Sequence, residues 1–480
     1  MASTMLWYDL ETFGTHPQWD RIGQFAAVRT NDKFEQIKDT ESFYCSLSPD
    51  YLPNPEACLV SGLTPQFVNA EGLSDRDFAA RINRLMLEPN TCIAGYNNLR
   101  FDDEFIRSLF YRNFFDPYKR EYNKGNTRWD IIDLLRMAHD LRPEGIEWPA
   151  DGEGRPSFKL TDLTAANGIA HEEAHNALSD VKATIALARL LLEKQPKLFR
   201  FFFSLRKKDE ARRLLNLQKI IPLVHSSGMF TSEKGCSSIV VPLSVHPLQP
   251  NVIISYDLRH DPADWIDEPA EEIRRRVFTR QEELVPEKRI PLKGIHLNRC
   301  PAIAPLSTLS EDRAGILGID LDLCMKHAGI LAKRNDLIQK IRAVYQEGNS
   351  GKYEDPELQI YSGDFFPDED RIEFDVIRSS PPEKLLADPP RLHDRRGPEL
   401  LWRYIGRNYP EAFPPAEQAK WKSFCAGRLL TPEAKGAVDF GTFSRDVKNR
   451  LSRVDTPAKD KRILKALLDY AKELERTVLQ

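Results

Sequence analysis

Apolar residues recur along this chain with two periods, and the period changes mark its parts. The stretch TMLWYDLET (4–12) alternates as a strand does, QFAAVRTN (24–31) reads as a second strand entering a turn, and CIAGYN (92–97) as a short apolar strand. Helical spacing then takes over. DDEFIRSLFYRNF (102–114) places Phe105, Leu109 and Arg112 on one face, and RWDIIDLLRMAHDL (128–141) predicts one further helix with Ile131, Leu134, Leu135 and Ala138 inward. HNALSDVKATIALARLLLEKQP (175–196) is the clearest helix, with Leu178, Val181, Ile185, Ala188 and Leu192 stepping by three and four, Asn176 as its N-cap and Pro196 as its stop. A mixed α/β unit is therefore expected over 1–195.

The texture then shifts. RFFFSLRKKDEARRLLNL (200–217) predicts a basic helix leading into short β-rich pieces. IPLVHSSGMF, SSIVVPLSVHP, NVIISYDLRH and RIPLKGIHLNRCPAIAP, separated by Gly, Pro and Asn, predict a small barrel or sheet with one helix inserted at 267–280. From about 310 the pattern is helical, with a boundary expected in QEGNSGKYEDPE (346–357). The last helix follows Thr456-Pro457, with Ile463, Leu464, Leu467, Leu468, Ala471 and Leu474 as its stripe. These limits give three expected domains, 1–195, 196–349 and 350–480.

Composition narrows the classes. The 480 residues are 41% hydrophobic and 29% charged, as globular chains are. An uninterrupted apolar run of membrane-spanning length is absent, and MASTMLWYDL lacks the basic head and apolar core of a signal peptide. Seven scattered cysteines without a C-x-x-C pair fit a reducing cytoplasm. Net charge is −4, yet Arg107–Arg128 holds six basic against two acidic residues and Lys197–Lys219 eight against two, the local pattern of a nucleic-acid track or of solvated helix faces.

Three acidic motifs carry the candidate chemistry. Asp9 and Glu11 share one face of a strand while Leu10 turns to the core. Two adjacent carboxylates repel unless a cation sits between them, and a hard cation such as Mg²⁺ suits their oxygens. Alone the pair decides nothing, since about ten such triples arise by chance among 72 acids. The second motif is GYNNLRFDDEF, where Asp102 opens a helix behind a polar loop. The third is HEEAHNALSDV, where His175 stands at a helix entry and Asp180 lies inside the helix, beside the dry stripe Ala177, Thr184 and Leu187.

Taken in order, D-x-E, then N-x-x-F-D, then H-x-x-x-x-D resembles the DEDD exonuclease superfamily with a catalytic histidine. LVSGLTPQ (59–66) matches a turn that family places between its first two acidic motifs. ETFGTHP, QFAAVRT, FYRNFFDPY, LRPEGIEWP, PSFKLTDLTAANGI and PLVHSSGMF extend the likeness, least strongly after about 350, to the bacterial exodeoxyribonuclease I family. The resemblance implies a ribonuclease H-like α/β exonuclease domain with a mixed sheet, an SH3-like β-barrel and a C-terminal α-helical domain. It implies processive degradation of single-stranded DNA from the 3′ end to 5′-mononucleotides, in repair and recombination. Asp9, Glu11, Asp102 and Asp180 would hold two Mg²⁺ ions, with Mn²⁺ able to substitute, and His175 would act as general base.

The substrate contacts implied are Glu11, Arg107 and Lys159, the last standing where the family has an arginine; Tyr118 and Tyr122 are stacking candidates within a stretch that interleaves six basic residues with seven aromatics. The partner implied is the single-stranded DNA-binding protein through its C-terminal tail, with Arg142 and the basic stretch 206–213 as possible receivers; a cytoplasmic monomer is expected. The rivals are a ribonuclease or proofreading subunit, which is usually one domain, and a non-catalytic DNA-binding scaffold. His16 has no assigned role.

Overall fold

The computed structural model describes residues 3–171, 175–230, 233–334, 336–346, 353–434 and 436–479. The first strands are β1 (Thr4–Thr12), β2 (Ile22–Thr30) and β3 (Glu41–Tyr44). Helices α1 (Pro55–Ser61), α2 (Pro65–Glu71) and α3 (Asp75–Met86) follow, then β4 (Thr91–Gly95) and α4 (Asp102–Arg112). Next come β5 (Thr127–Asp130), α5 (Ile132–Leu141), α6 (Leu160–Ala166) and α7 (Ala177–Lys194). The strand, α4 and α7 expectations hold to within a few residues. The helix expected over 128–141 forms only from Ile132 onward, with Ile131, Leu134, Leu135 and Ala138 buried as expected: residues up to Asp130 are extended, and the Asp130 carboxylate accepts the Ile132 N–H at 3.0 Å, turning the chain into α5. The basic helix of 200–217 is likewise broken, into Pro196–Ser204 and Lys208–Leu214, at an extended Lys207.

The chain divides into two compact units. One comprises Met1–Thr127, Glu172–Lys182 and Ser350–Gln480, the other Arg128–His171 and Ala183–Asn349. In the first, β1 pairs antiparallel with β2 and parallel with β4, and β2 pairs with β3. Tyr8, Leu10, Phe25, Phe43, Phe105 and Leu109 fill one face of this mixed sheet. In the second unit, Leu223–Ser226, Ser237–Val245, Val252–Asp257, Leu292–His296 and Ala302–Pro305 form a five-stranded antiparallel sheet with helix Ala270–Phe278 beside it in sequence. Of the expected boundary, residues 347–352 lie outside the described residues. Among the described residues no helix is long and apolar enough to cross a membrane.

A second core in the first unit draws on both ends of the chain. Phe13, Trp19, Tyr51 and Phe114 pack with Tyr404, Trp421, Phe443 and Leu467. The final helix, Ala458–Leu474, buries the expected Ile463, Leu464, Leu467, Ala471 and Leu474, and the Tyr470 hydroxyl donates to the Tyr51 carbonyl at 3.2 Å. Within this core lies a cluster of buried charges. Arg407 donates to Asp50 at 2.8 Å and to both oxygens of Glu357, while Arg428 reaches Asp355 at 3.0 Å and Glu357 at 3.1 Å. Arg21 and Arg403 stand beside the same carboxylates. Burial opposes the charged form of Asp50, but Arg407, Arg428 and Arg21 outweigh it and hold the carboxyl well below its usual range. Glu357 is held down in the same way.

Removing one partner of a buried pair strands the other's charge. Arg407→Met is expected to cost about 3–5 kcal/mol in urea unfolding at pH 7. The stabilisation given by Asp50 and Glu357 is present above the usual carboxylate range and is lost as pH falls through their depressed values. The wild-type penalty on acidification should therefore shrink in this variant; unchanged urea and acid midpoints would show the cluster to be energetically idle.

Candidate active site

Strand β1 delivers two acids by its pleat. Tyr8 and Leu10 point into the sheet core, so Asp9 and Glu11 share the opposite face. Asp9 stands opposite Ala26 on β2, and Glu11 opposite Gln24. The register slips between Glu11 and Thr12, where Thr12 pairs with Ile22 and Gly23 becomes the extra residue of a bulge. A Cβ on Gly23 would sit 2.9 Å from Phe13 and Leu63 side-chain atoms, so a larger residue at the bulge would have to push these side chains aside. Just beyond, a Cβ on Gly14 would overlap the Asp20 carboxylate, which accepts the His16 N–H at 2.8 Å and the Tyr51 hydroxyl at 2.8 Å. This accounts for the F-G-T-H run: it folds the chain back under the end of β1. The His16 ring itself sits against Gly436, whose Cβ would lie 2.5 Å from its Nε2.

Helix α4 delivers the third acid. Asp102 is its first residue and is 4% exposed, and its Oδ1 accepts the Leu10 N–H at 3.1 Å, between the two β1 acids. The helix N-terminus favours this carboxylate electrostatically. Helix α7 delivers the fourth. Asn176 caps it through its side-chain oxygen, accepting from Leu178 N–H at 3.1 Å, and Asp180 follows one turn on. One carboxylate oxygen from each of Asp9, Glu11 and Asp180 lies within 4.8 Å of the other two. His175 is exposed, two residues ahead of the helix, with a left-handed φ of 65°.

The electrostatics of this cluster are those of crowded, dry acids. Burial, then the Asp102, Glu11 and Asp180 carboxylates, push the Asp9 pKa well above its usual value. Burial, then Asp180 and Asp102, push Glu11 up to about 9. Three to four carboxylates with oxygens this close, offering no sulfur or nitrogen donor of their own, fit a hard divalent cation.

The other expected contacts fall elsewhere. Arg107 is a correction: rather than projecting to a phosphate, it is 5% exposed and ion-paired with Glu104 at 2.8 Å and Glu121 at 2.9 Å. The i, i+3 spacing to Glu104 on the same helix captures it. Tyr118 is half-buried under the Arg107 guanidinium and edge-on to Phe365; Tyr122 is 65% exposed. Both line a cavity of about 520 Å³ with Phe365, Phe366 and Arg371, residues from the C-terminal third that local pattern could not bring here. Lys159 is exposed in the second unit, at the residue preceding α6.

Three domain profiles match the chain: an exonuclease domain over residues 6–188, an exonuclease I SH3-like domain over 206–347 and an exonuclease I C-terminal domain over 354–474. Exodeoxyribonuclease I of Escherichia coli K12 is 41% identical over 98% of both chains. The chain belongs to the exonuclease I family. Exodeoxyribonuclease I of Haemophilus influenzae is 43% identical over 90% of this chain and 91% of its own. Among solved structures, exonuclease I from Methylocaldum szegediense superposes with a TM-score of 0.94 at 45% identity, covering 98% of this chain and 100% of that one. E. coli exonuclease I in complex with a dA16 oligonucleotide superposes with a TM-score of 0.94 at 39% identity, covering 98% and 100%. As a member of the exonuclease I family, the protein is an exonuclease with the ribonuclease H-like, SH3-like and C-terminal exonuclease I domains of that family.

An acid whose pKa rises on folding binds more protons in the native than in the unfolded chain, so stability falls as pH climbs between the two values. For Glu11 that window runs from about 4.3, the free value, to about 9. The metal-free enzyme should therefore melt at progressively lower temperature from pH 5.5 to 9, and a divalent cation should restore more at the alkaline end because its binding displaces protons. Differential scanning calorimetry checks both; Glu11→Gln should flatten the metal-free slope, and an equally steep slope would remove Glu11 as its source.

Proposed function

We propose that the protein hydrolyses single-stranded DNA from its 3′ end, releasing 5′-mononucleotides, with Asp9, Glu11, Asp102 and Asp180 holding two divalent ions and His175 as general base. The observation that carries this reading is the convergence of Asp9, Glu11 and Asp180 oxygens within 4.8 Å, with Asp102 anchored between the β1 acids. Complexes of E. coli exonuclease I with dA16 and dT13 oligonucleotides support a single-stranded DNA substrate, and a zinc-bound complex of the same enzyme supports a divalent cation. Mg²⁺ is the ion we assign, with Mn²⁺ as substitute, because every donor is a carboxylate oxygen.

When bound, the two ions stabilise charge on the attacking and departing oxygens of an in-line displacement. The chain's residues do the remainder. The four carboxylates fix where that positive charge sits. His175, on the solvent-facing entry to α7, takes the proton of the attacking water as its oxygen bonds phosphorus. The bond from phosphorus to the 3′-oxygen of the preceding nucleotide breaks, and that oxygen is protonated from solvent. Glu11 also faces the substrate. Tyr118, Tyr122 and Lys159 are assigned to the strand, by stacking and phosphate contact; Arg107 is not, since its charge is already matched by two glutamates. We assign the activity to DNA repair and recombination in the cytoplasm, by a monomer that engages the C-terminal tail of the single-stranded DNA-binding protein.

Cleavage of 3′-labelled single-stranded DNA, duplex DNA and RNA, compared side by side, tests the substrate. Single-stranded DNA should be cut fastest, and RNA cut at the same rate would sink the assignment. Asp9→Ala should lower the rate by at least about 10³-fold while leaving oligonucleotide binding by fluorescence anisotropy in place. An active Asp9→Ala enzyme would refute the metal assignment.

A further inference from the structure

Behind the acids, on the core side of β1, lies a second and fully buried polar group. The Tyr8 hydroxyl donates to Asp103 Oδ1 at 2.6 Å, and Arg120 Nη2 donates to the same oxygen at 2.7 Å. The side chains of Asp103 and Arg120 are both 0% exposed. Arg120 arrives from the single turn Lys119–Glu121, and among the described residues its Nε and Nη1 find no hydrogen-bond partner, so the Asp103 carboxylate is the principal counter-charge that holds it in the interior. Burial works against the Arg120 cation, and Asp103, with smaller contributions from Tyr8 and Glu121, offsets it. Such a group is costly to keep where an apolar side chain would pack as well. A structural account of the core therefore leaves its presence unexplained.

Its position supplies the explanation. Tyr8 immediately precedes Asp9 on β1, and Asp103 immediately follows Asp102 on α4. The Tyr8–Asp103 bond thus ties together the two elements that carry Asp9 and Asp102, on the face opposite those acids. The Leu10 N–H to Asp102 bond ties the same two elements on the near side. Strand and helix are pinned at two points, two residues apart on β1 and one apart on α4, while the carboxylates between them repel. The geometry points to Tyr8, Asp103 and Arg120 as positioning residues that fix the separation of Asp9 and Asp102 and so set the affinity for the divalent ion. This inference rests on the metal-binding reading of the four acids. All three are buried on the core side of β1; Arg120 orients Asp103 through the hydrogen bond to its Oδ1, and Asp103 receives the strand through Tyr8.

Mn²⁺ binding to the full-length protein without DNA, read by electron paramagnetic resonance of free Mn²⁺, tests this directly. Tyr8→Phe keeps the ring stacked on Phe25 and deletes only the hydroxyl. It should weaken Mn²⁺ binding about ten-fold, as the loss of a partner just outside a metal's ligands does. The Mn²⁺ concentration giving half-maximal cleavage should shift by the same factor. Arg120→Lys keeps the charge but not the geometry and should weaken binding as well. The two changes combined should do less than the product of their separate effects, because both act through Asp103. Mn²⁺ affinity within about twofold of wild type in both variants, whatever their melting temperatures, would overturn the inference. Asp9→Ala is the control that separates the two readings. If it too binds Mn²⁺ normally, the metal site itself is misassigned; if it loses Mn²⁺ while Tyr8→Phe and Arg120→Lys keep it, only the positioning role falls.

Discussion

Mutual repulsion among carboxylates is the constraint on which this candidate site turns. Asp9, Glu11, Asp102 and Asp180 come from one strand and two helices, and each raises the cost of ionising at least one other. Left to electrostatics, β1 and the starts of α4 and α7 would separate or the acids would take up protons. The surrounding structure must hold them together before a cation arrives, since a hard ion gains little from a site it has to assemble itself. The devices near β1 answer that need: the bulge at Gly23, the Asp20 carboxylate seated over Gly14, the Asp102 bond to the strand and the buried Tyr8–Asp103–Arg120 group.

The second support is more distant in sequence. Residues 350–480 form one compact unit with residues 1–127, and the buried arginines of 403–428 meet Asp50 and Glu357 in its interior. The loop after β1 is part of that same core through Phe13 and Trp19. Segments far apart in the chain thereby stiffen the turn that ends the strand carrying Asp9 and Glu11.

Local signals placed each acid on its element, and the order of the three motifs, through the family resemblance, brought them into one candidate site. A period of two places Asp9 beside Glu11, a polar loop before a helical run marks Asp102, and Asn176 marks the start that orients Asp180. What local pattern could not convey was pairing. Arg107 reads as a spare cation until Glu104 and Glu121 close on it. Arg120 reads as one more charge in a basic track, yet it is the most deeply buried cation near α4. The β5 residues read as the first turn of a helix because a four-residue strand is too short to show its own period. Phe365 and Arg371 join Tyr118 and Tyr122 around one cavity only through the fold, from some 240 residues away in the chain.

The same unit uses buried acids in two opposite ways, and the difference lies in where its arginines are spent. At Asp50 and Glu357 arginines surround the carboxylates and fix them as anions at every physiological pH. Around α4 the arginines are equally close in sequence, yet each is matched elsewhere: Arg107 by Glu104 and Glu121, Arg112 by Asp75, Arg120 by Asp103. The charges acting on Asp9 and Glu11 are therefore other carboxylates. A neighbouring arginine would relieve that repulsion, lower both pKa values and occupy the oxygens a divalent ion needs. Withholding it leaves a carboxylate pocket that only an external cation or protons can satisfy, and the two compete for the same oxygens. Under the proposed metal-binding role, dependence on a divalent metal and a rise of metal affinity with pH would be two consequences of one arrangement of charge.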